Sequence, residues 1–226
     1  MGKEYEHAET IEDDPKTPKN TMARRPPHNY VAILKDADEP IDPFSKEVCE
    51  QLYDGVLLNN KKKKYWVDKE SNKNCFMVLA RDLAIDWGES TDYWKWITFR
   101  ETSDMEVELA ELQRVCWLGV SGKFRTVALA PMTKYRVAFV VKMIDSDYHW
   151  DVPVTFTVTL PNGKKEECVK SLSTVPQRRW EHIPICEFVM SPENVGEVTF
   201  ALSEHGENWK KGLVIKGVSF QPVKDT

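Results

Sequence analysis

From residue 64 onward the chain is written almost entirely in short strand-forming runs broken by turn residues at close intervals, a pattern that few folds satisfy. The runs are KYWVDK, NCFMVLARDL, DLAIDW, YWKWITF, EVELAEL, RVCWLGVSGKF, KYRVAFVVKMI, PVTFTVTL, EECVKSL, WEHIPICEFV, EVTFALSEH and GLVIKGVSFQPV. Turn chemistry separates them: Glu70-Ser71-Asn72-Lys73, Ser121-Gly122, Pro131, Pro161-Asn162-Gly163 and Ser191-Pro192-Glu193-Asn194. In VTFTVTL, Val154, Phe156 and Val158 alternate with Thr155, Thr157 and Thr159, as expected of an antiparallel strand covered on one face only. EVELAEL reads equally as a helical turn. No repeat period is present. The expectation is an all-β protein, an antiparallel, jelly-roll-like β-sandwich.

What precedes that pattern divides in two. Residues 1–28 combine Pro15, Pro18, Pro26 and Pro27 with charged residues and almost no large apolar groups, which predicts a disordered arm. Residues 29–73 read as an N-terminal helix and hairpin extension, leaving 74–226 as the sandwich domain. The helix is expected to be capped by Asp42 or Ser45, to carry Phe44, Val48 and Leu52 on one stripe, and to stop at Gly55.

A net charge of −5 with 30% charged residues argues against a general grip on polyphosphate. There is no eighteen-residue apolar window, no apolar core to a leader at the N-terminus, and no Ser or Thr where a myristoylation signal needs one. The expectation is a cytoplasmic protein without a membrane anchor. Five cysteines at irregular spacing, with no CxxC, fit reduced thiols better than a disulfide set or a zinc site. Cys75, Cys116 and Cys186 are expected to be buried, and Cys168 is the candidate surface thiol. Lys61 to Lys64 reads as a solvated loop; as a nuclear-import tag the run is too short to be specific.

Catalytic patterns are missing: no GxSxG, HExxH, Walker-type or dinucleotide glycine motif occurs, and the five histidines are scattered. The expectation is therefore not an enzyme. Aromatic residues are more informative. Trp87, Trp94 and Trp96 fall within ten positions, in NCFMVLARDLAIDWGESTDYWKWITF. In the strand that closes this stretch, Trp94, Trp96 and Thr98 face one way and Tyr93, Lys95, Ile97 and Phe99 the other.

A tryptophan at a strand end beside a polar loop offers a flat ring to the apolar face of a sugar, while nearby carboxylates and amides bond the hydroxyls. Trp87 or Trp94 would be the plate, and SEHGENW, with Glu204, Asn208 and Trp209, the edge. Trp96 shares a face with Trp94. Trp117, Trp150 and Trp180 are expected in the core or at strand edges. Basic doublets at Lys164-Lys165, Arg178-Arg179 and Lys210-Lys211 are too dispersed for a nucleic-acid footprint.

From Asn29 to the C-terminus the chain resembles the plant phloem lectins (phloem protein two) and the wider Nictaba-like lectins, most of all the cucurbit phloem lectins. The resemblance lies in GVLLNNKKKKYWVDKESNKNCFMVLARDLAIDWG, DYWKWITF, VELAELQRVCWLGVSGKF, RRWEHIPICEF and WKKGLVIKGVSFQP. It implies a lectin domain, usually dimeric and without a cofactor, that binds N-acetylglucosamine oligomers, chitin fragments and N-glycan cores in phloem defence or transport. It assigns the sugar site to Trp87 and Trp94, with Glu197 and Glu204 beside them. It also implies a place in sieve-tube sap, and, as an alternative, an RNA-binding or filament-forming role in the phloem.

Overall fold

The computed structural model describes residues 26–144 and 150–224. The predicted arm at 1–28 lies outside the described residues except for its last three. Two short helices come first, α1 (Tyr30–Ile33) and α2 (Val48–Asp54). The strands that follow are β1 (Val56–Leu58), β2 (Lys63–Val67), β3 (Asn74–Leu79), β4 (Ala84–Ile85), β5 (Trp94–Arg100), β6 (Glu106–Leu112) and β7 (Leu118–Arg125). The second half adds β8 (Lys134–Met143), β9 (Pro153–Thr159), β10 (Lys165–Ser171), β11 (Trp180–Val189), β12 (Glu197–Glu204) and β13 (Leu213–Pro222).

These strands form the expected antiparallel sandwich. A five-stranded sheet runs β10-β9-β12-β7-β4, and an eight-stranded sheet runs β1-β2-β3-β13-β6-β5, with β8 on the other side of β13 and β11 beyond β8. The inward alternation of β9 (Val154, Phe156, Val158) and β12 (Val198, Phe200, Leu202) meets Val137, Phe139 and Val141 of β8 across the sandwich. Ring contacts stitch the sheets together: Phe139 lies 5.5 Å from Phe156, and Phe124 lies 4.4 Å from Phe220.

The hairpin predicted between KYWVDK and NCFMVL is present, with Asp68 Oδ1 accepting the Ser71 N–H at 2.8 Å and Asn72 in the left-handed region. Through it β1 and β2 are continuous with the eight-stranded sheet, and Ile33, Leu34, Val48 and Leu52 pack into the main core. EVELAEL is strand β6.

The predicted helix needs a correction. It begins at Val48 rather than near Asp42, no side chain caps it, and Phe44 is 80% exposed. Asp42 Oδ1 accepts the Phe44 N–H at 2.9 Å, a local turn that competes with helix at that point. Gly55 ends the helix as expected, at φ 96°.

A second apolar cluster lies on the outer face of the eight-stranded sheet, where Met77, Leu79, Val107, Leu109, Val140 and Val214 are joined by Ile97, Phe99 and Trp180. It exists because the β5–β6 hairpin brings Phe99 to 5.9 Å from Trp180 of β11. Strand β5 is thus an edge strand with apolar contacts on both faces.

Candidate functional site

Three open indole rings gather at one end of the five-stranded sheet: Trp87, Trp117 and Trp209 are 62%, 53% and 51% exposed. These rings make this end of the sheet the candidate surface.

Trp87 is positioned by the loop after β4. The Asp86 N–H extends the ladder to Gly119 O at 2.9 Å, and the Gly88 N–H closes a turn on Ile85 O at 3.0 Å. Trp87, third in that turn, has φ 62°. Such a value ordinarily selects glycine or asparagine and is unfavourable for a bulky residue. Two neighbours hold it there. The Trp94 indole N–H donates to Asp86 O at 3.0 Å, and the Trp96 indole N–H donates to Gly88 O at 3.0 Å. Both carbonyls flanking Trp87 are tied down, and its ring rests 6.0 Å from that of Tyr93.

Trp117 precedes β7 and shares the outward parity of Gly119, Ser121 and Lys123, opposite to buried Leu118 and Val120. Its ring stacks on His205 at 3.8 Å and 7° between planes. Because Leu118 pairs with Glu204, Trp117 and His205 continue the β7–β12 ladder one residue past its end. Gly119 pairs with Ser203, so Asp86, Gly119 and Ser203 form one row across three strands. That row puts the Trp87 loop roughly 10 Å from β12, two strand spacings away.

Trp209 closes the group. Arg114 Cζ lies 5.7 Å from its ring, and the Gln113 N–H donates to Tyr93 O at 2.8 Å, which links this side back to Trp87.

Beneath the rings lies a buried ion pair. Lys210 is 1% exposed, its ammonium pairs with Glu204, and it donates to Cys116 O at 2.6 Å and Asn208 O at 2.7 Å. Glu204 Oε1 also accepts the Gly206 N–H at 2.7 Å. Glu204 falls on the inward parity of β12, which is why its carboxylate turns to Lys210 rather than to solvent.

The residues singled out in the sequence therefore divide. Glu204 and Asn208 meet at Lys210, with Asn208 exposed, while the Trp87 loop lies roughly 10 Å from β12. Trp94 is corrected: at 1% exposure its ring is interior and cannot be a landing surface, and its indole N–H serves the Trp87 loop. Trp96 is half-buried under Arg81, whose Cζ lies 3.6 Å from the ring while its fork holds Glu108 at 2.7 and 2.8 Å. Glu197 is also corrected. It opens β12, pairs with Lys123 at 3.3 Å, and lies seven residues, roughly 23 Å, from Glu204.

Trp150 is core, its N–H donating to Lys211 O at 2.8 Å. Trp117, expected in the core or at a strand edge, lies open just before β7, where the alternation in RVCWLGVSGKF puts it on the polar face, and His205 of the SEHGENW loop stacks on it. Among the described residues no group of three His, Cys, Asp or Glu can hold a metal, and no helix is long and apolar enough to cross a membrane.

Fold and site together define a two-sheet antiparallel sandwich that displays preset aromatic rings at the end of one sheet. The chain belongs to the phloem protein 2 family, whose pattern its residues 73–222 match. It is 44% identical to Protein PHLOEM PROTEIN 2-LIKE A1 of Arabidopsis thaliana over 91% of this chain and 85% of that one. It is 38% identical to a protein named Lectin from Luffa acutangula, over 86% of this chain and 94% of that one. A solved structure, the CBM22-1 xylan-binding domain from Paenibacillus barcinonensis Xyn10C, is similar at 12% identity and a TM-score of 0.36, over 66% of this chain and 90% of that one. That likeness is too distant to carry an argument.

Proposed function

We propose that this protein is a carbohydrate-binding lectin that takes N-acetylglucosamine oligomers, as in chitin fragments and N-glycan cores, on the surface formed by Trp87, Trp117 and Trp209. The role is reversible binding without catalysis, and the resemblance to phloem lectins adds a second copy of the chain as partner. The observation that carries the reading is Trp87, an exposed ring held in an unfavourable backbone conformation by two other tryptophans. Strain of about 1–3 kcal/mol maintained by surrounding bonds is typical of residues preset for a ligand. The name of the Luffa relative supports the same reading.

A pyranose face stacks on Trp87, Trp117 or Trp209, and hydroxyl and acetamido groups bond to Asn208 and to the backbone of the 205–209 loop. Glu204 acts by fixing that loop through Lys210.

Trp87→Ala is expected to abolish retention on a chitin column and weaken binding of the N-acetylglucosamine trimer about thirtyfold or more, with an unchanged circular dichroism spectrum. Full retention would remove Trp87 from the site. Titration of the wild-type protein at low and high salt should give nearly the same affinity, because a neutral sugar releases no counterions. A steep salt dependence would favour a polyanion instead.

A further inference from the structure

A second built site lies on the opposite sheet. A cleft of about 440 Å³ opens on the outer face of the eight-stranded sheet, with aromatic walls from Trp66, Phe99 and Trp180. All three rings are half-buried and none belongs to the tryptophan surface described above.

The cleft's chemistry comes from a carboxylate shared by two lysines. Glu101, from the β5–β6 turn, has a side chain only 7% exposed; Lys64 Nζ donates to its Oε2 at 2.6 Å, and the Lys216 ammonium pairs with its Oε1. Lys216 arrives there through a β-bulge. The β13–β8 register shifts between Ile215 and Gly217, and at that point the other side of β13 changes partner from β6 to β3. A bulge that re-aims a side chain is a built feature rather than a defect.

Every cation here also sits over a ring. Lys216 Nζ is 5.4 Å from the Phe99 centroid and 5.6 Å from that of Trp180; Lys142 Nζ is 4.6 Å from Trp180; Lys64 Nζ is 5.9 Å from Trp66. Lys64 and Lys216 line the cleft with the carboxylates of Glu101 and Asp54, two charges of each sign, and Lys142 adds a third ammonium at its edge, over Trp180, in a protein whose net charge is −5. Burial alone would raise the Glu101 carboxyl, but Lys216 and Lys64 draw it below the usual carboxylate range. Burial and Lys216 together lower His182 on the rim.

An ammonium has three N–H groups, so the two lysines that clamp Glu101 retain donors for a further acceptor. The volume matches a ligand of one or two rings. Aromatic walls suit a ring with an apolar face, Thr102, His182 and Gln221 suit hydroxyls, and the added ammonium of Lys142 at the edge suits one anionic group.

We propose that this cleft binds an acidic saccharide, a pyranose that carries a carboxylate, with its ring against Trp180 and Phe99 and its carboxylate toward Lys216, Lys64 and Lys142. The site is independent of the tryptophan surface.

The test is calorimetric titration of the full chain with digalacturonic acid and with its methyl ester, a neutral ligand of nearly the same shape. The acid should bind about tenfold or more tightly than the ester. Lys142→Glu should weaken the acid by a similar factor without altering the circular dichroism spectrum, Trp180→Ala should abolish binding, and Trp87→Ala should leave it unchanged. No binding of the acid, equal binding of the ester, an unaffected Lys142→Glu variant, or loss of binding in Trp87→Ala would each overturn the proposal. Lys142→Glu decides the matter should Trp180→Ala fail to fold.

Discussion

Lys210→Met is expected to lower the melting temperature by roughly 6–20 °C, although methionine nearly matches the volume removed. The reason lies in what the ammonium leaves behind. Glu204 would keep a carboxylate with a side-chain exposure of 9% and a single remaining partner, the Gly206 N–H, while the carbonyls of Cys116 and Asn208 would lose their donor. An uncompensated buried charge of this kind costs about 3–5 kcal/mol.

The double variant Lys210→Met/Glu204→Leu should recover part of the loss, since no charge is then stranded, but not all of it, since both carbonyls remain orphaned. Thermal unfolding followed by circular dichroism checks both. Because Lys210 also pairs with Val115 through two backbone bonds, at 2.8 and 3.0 Å, the single variant should loosen the segments that carry Trp117 and Trp209 together. A melting point equal to that of the wild type would mean that the pair adds nothing to the fold.

The strands were legible because their alternation has one dry face and one wet face. The parity in VTFTVTL is the parity found, with Val154, Phe156 and Val158 fully buried and the threonines between them half-buried. The same rule reads Trp117 as outward, once it is seen to share a face with Gly119, Ser121 and Lys123. Parity also bears on the two glutamates. Positions an odd seven residues apart on one strand point to opposite faces and lie at opposite ends, so Glu197 and Glu204 could not line one site once both fell on β12.

What alternation could not give was which face of YWKWITF is interior. Both faces of β5 are covered, one by the main core and one by the second cluster, and that depends on long-range placement of the β5–β6 hairpin. The stretch that drew attention to Trp94 as a plate therefore holds a support instead. Its ring is sealed in the core, and its one polar atom fixes the backbone of the residue that is exposed. The cysteines divide. Cys75 and Cys186 are buried as expected, and burial pushes the Cys186 thiol up to about 12, but Cys116, expected to be buried, is half-exposed, and the exposed thiol is Cys49 rather than Cys168, which is half-buried. The early helix was misplaced for a local reason, the Asp42 turn, which no periodicity reports.

Gly217→Ala is expected to cost about 3 kcal/mol, equivalent to roughly 6–12 °C in melting temperature, and to disturb the cleft around Lys216 and Glu101 at the same time. A Cβ at this position would stand 2.1 Å from Val78 O, 3.0 Å from Val78 C and 3.1 Å from Leu79 Cα. All three are backbone atoms of the neighbouring strand, so no side chain can turn aside to make room. Relief requires β3 and β13 to separate where Gly217 pairs with Leu79, immediately after the bulge that directs Lys216 to Glu101.

Gly163→Ala provides the comparison. That glycine has φ 86° and nothing within 4 Å of a built Cβ, so its loss carries only the backbone cost of about 1–2 kcal/mol. Gly217 has φ 156°, a different backbone region, so the larger loss in Gly217→Ala is assigned to the clash by a second readout. Amide exchange along β3 locates it: protection at Val78 and Leu79 should fall in Gly217→Ala and stay unchanged in Gly163→Ala. Equal melting points with equal protection would mean that the two strands do not approach at this register, and the fork that builds the cleft would have no basis.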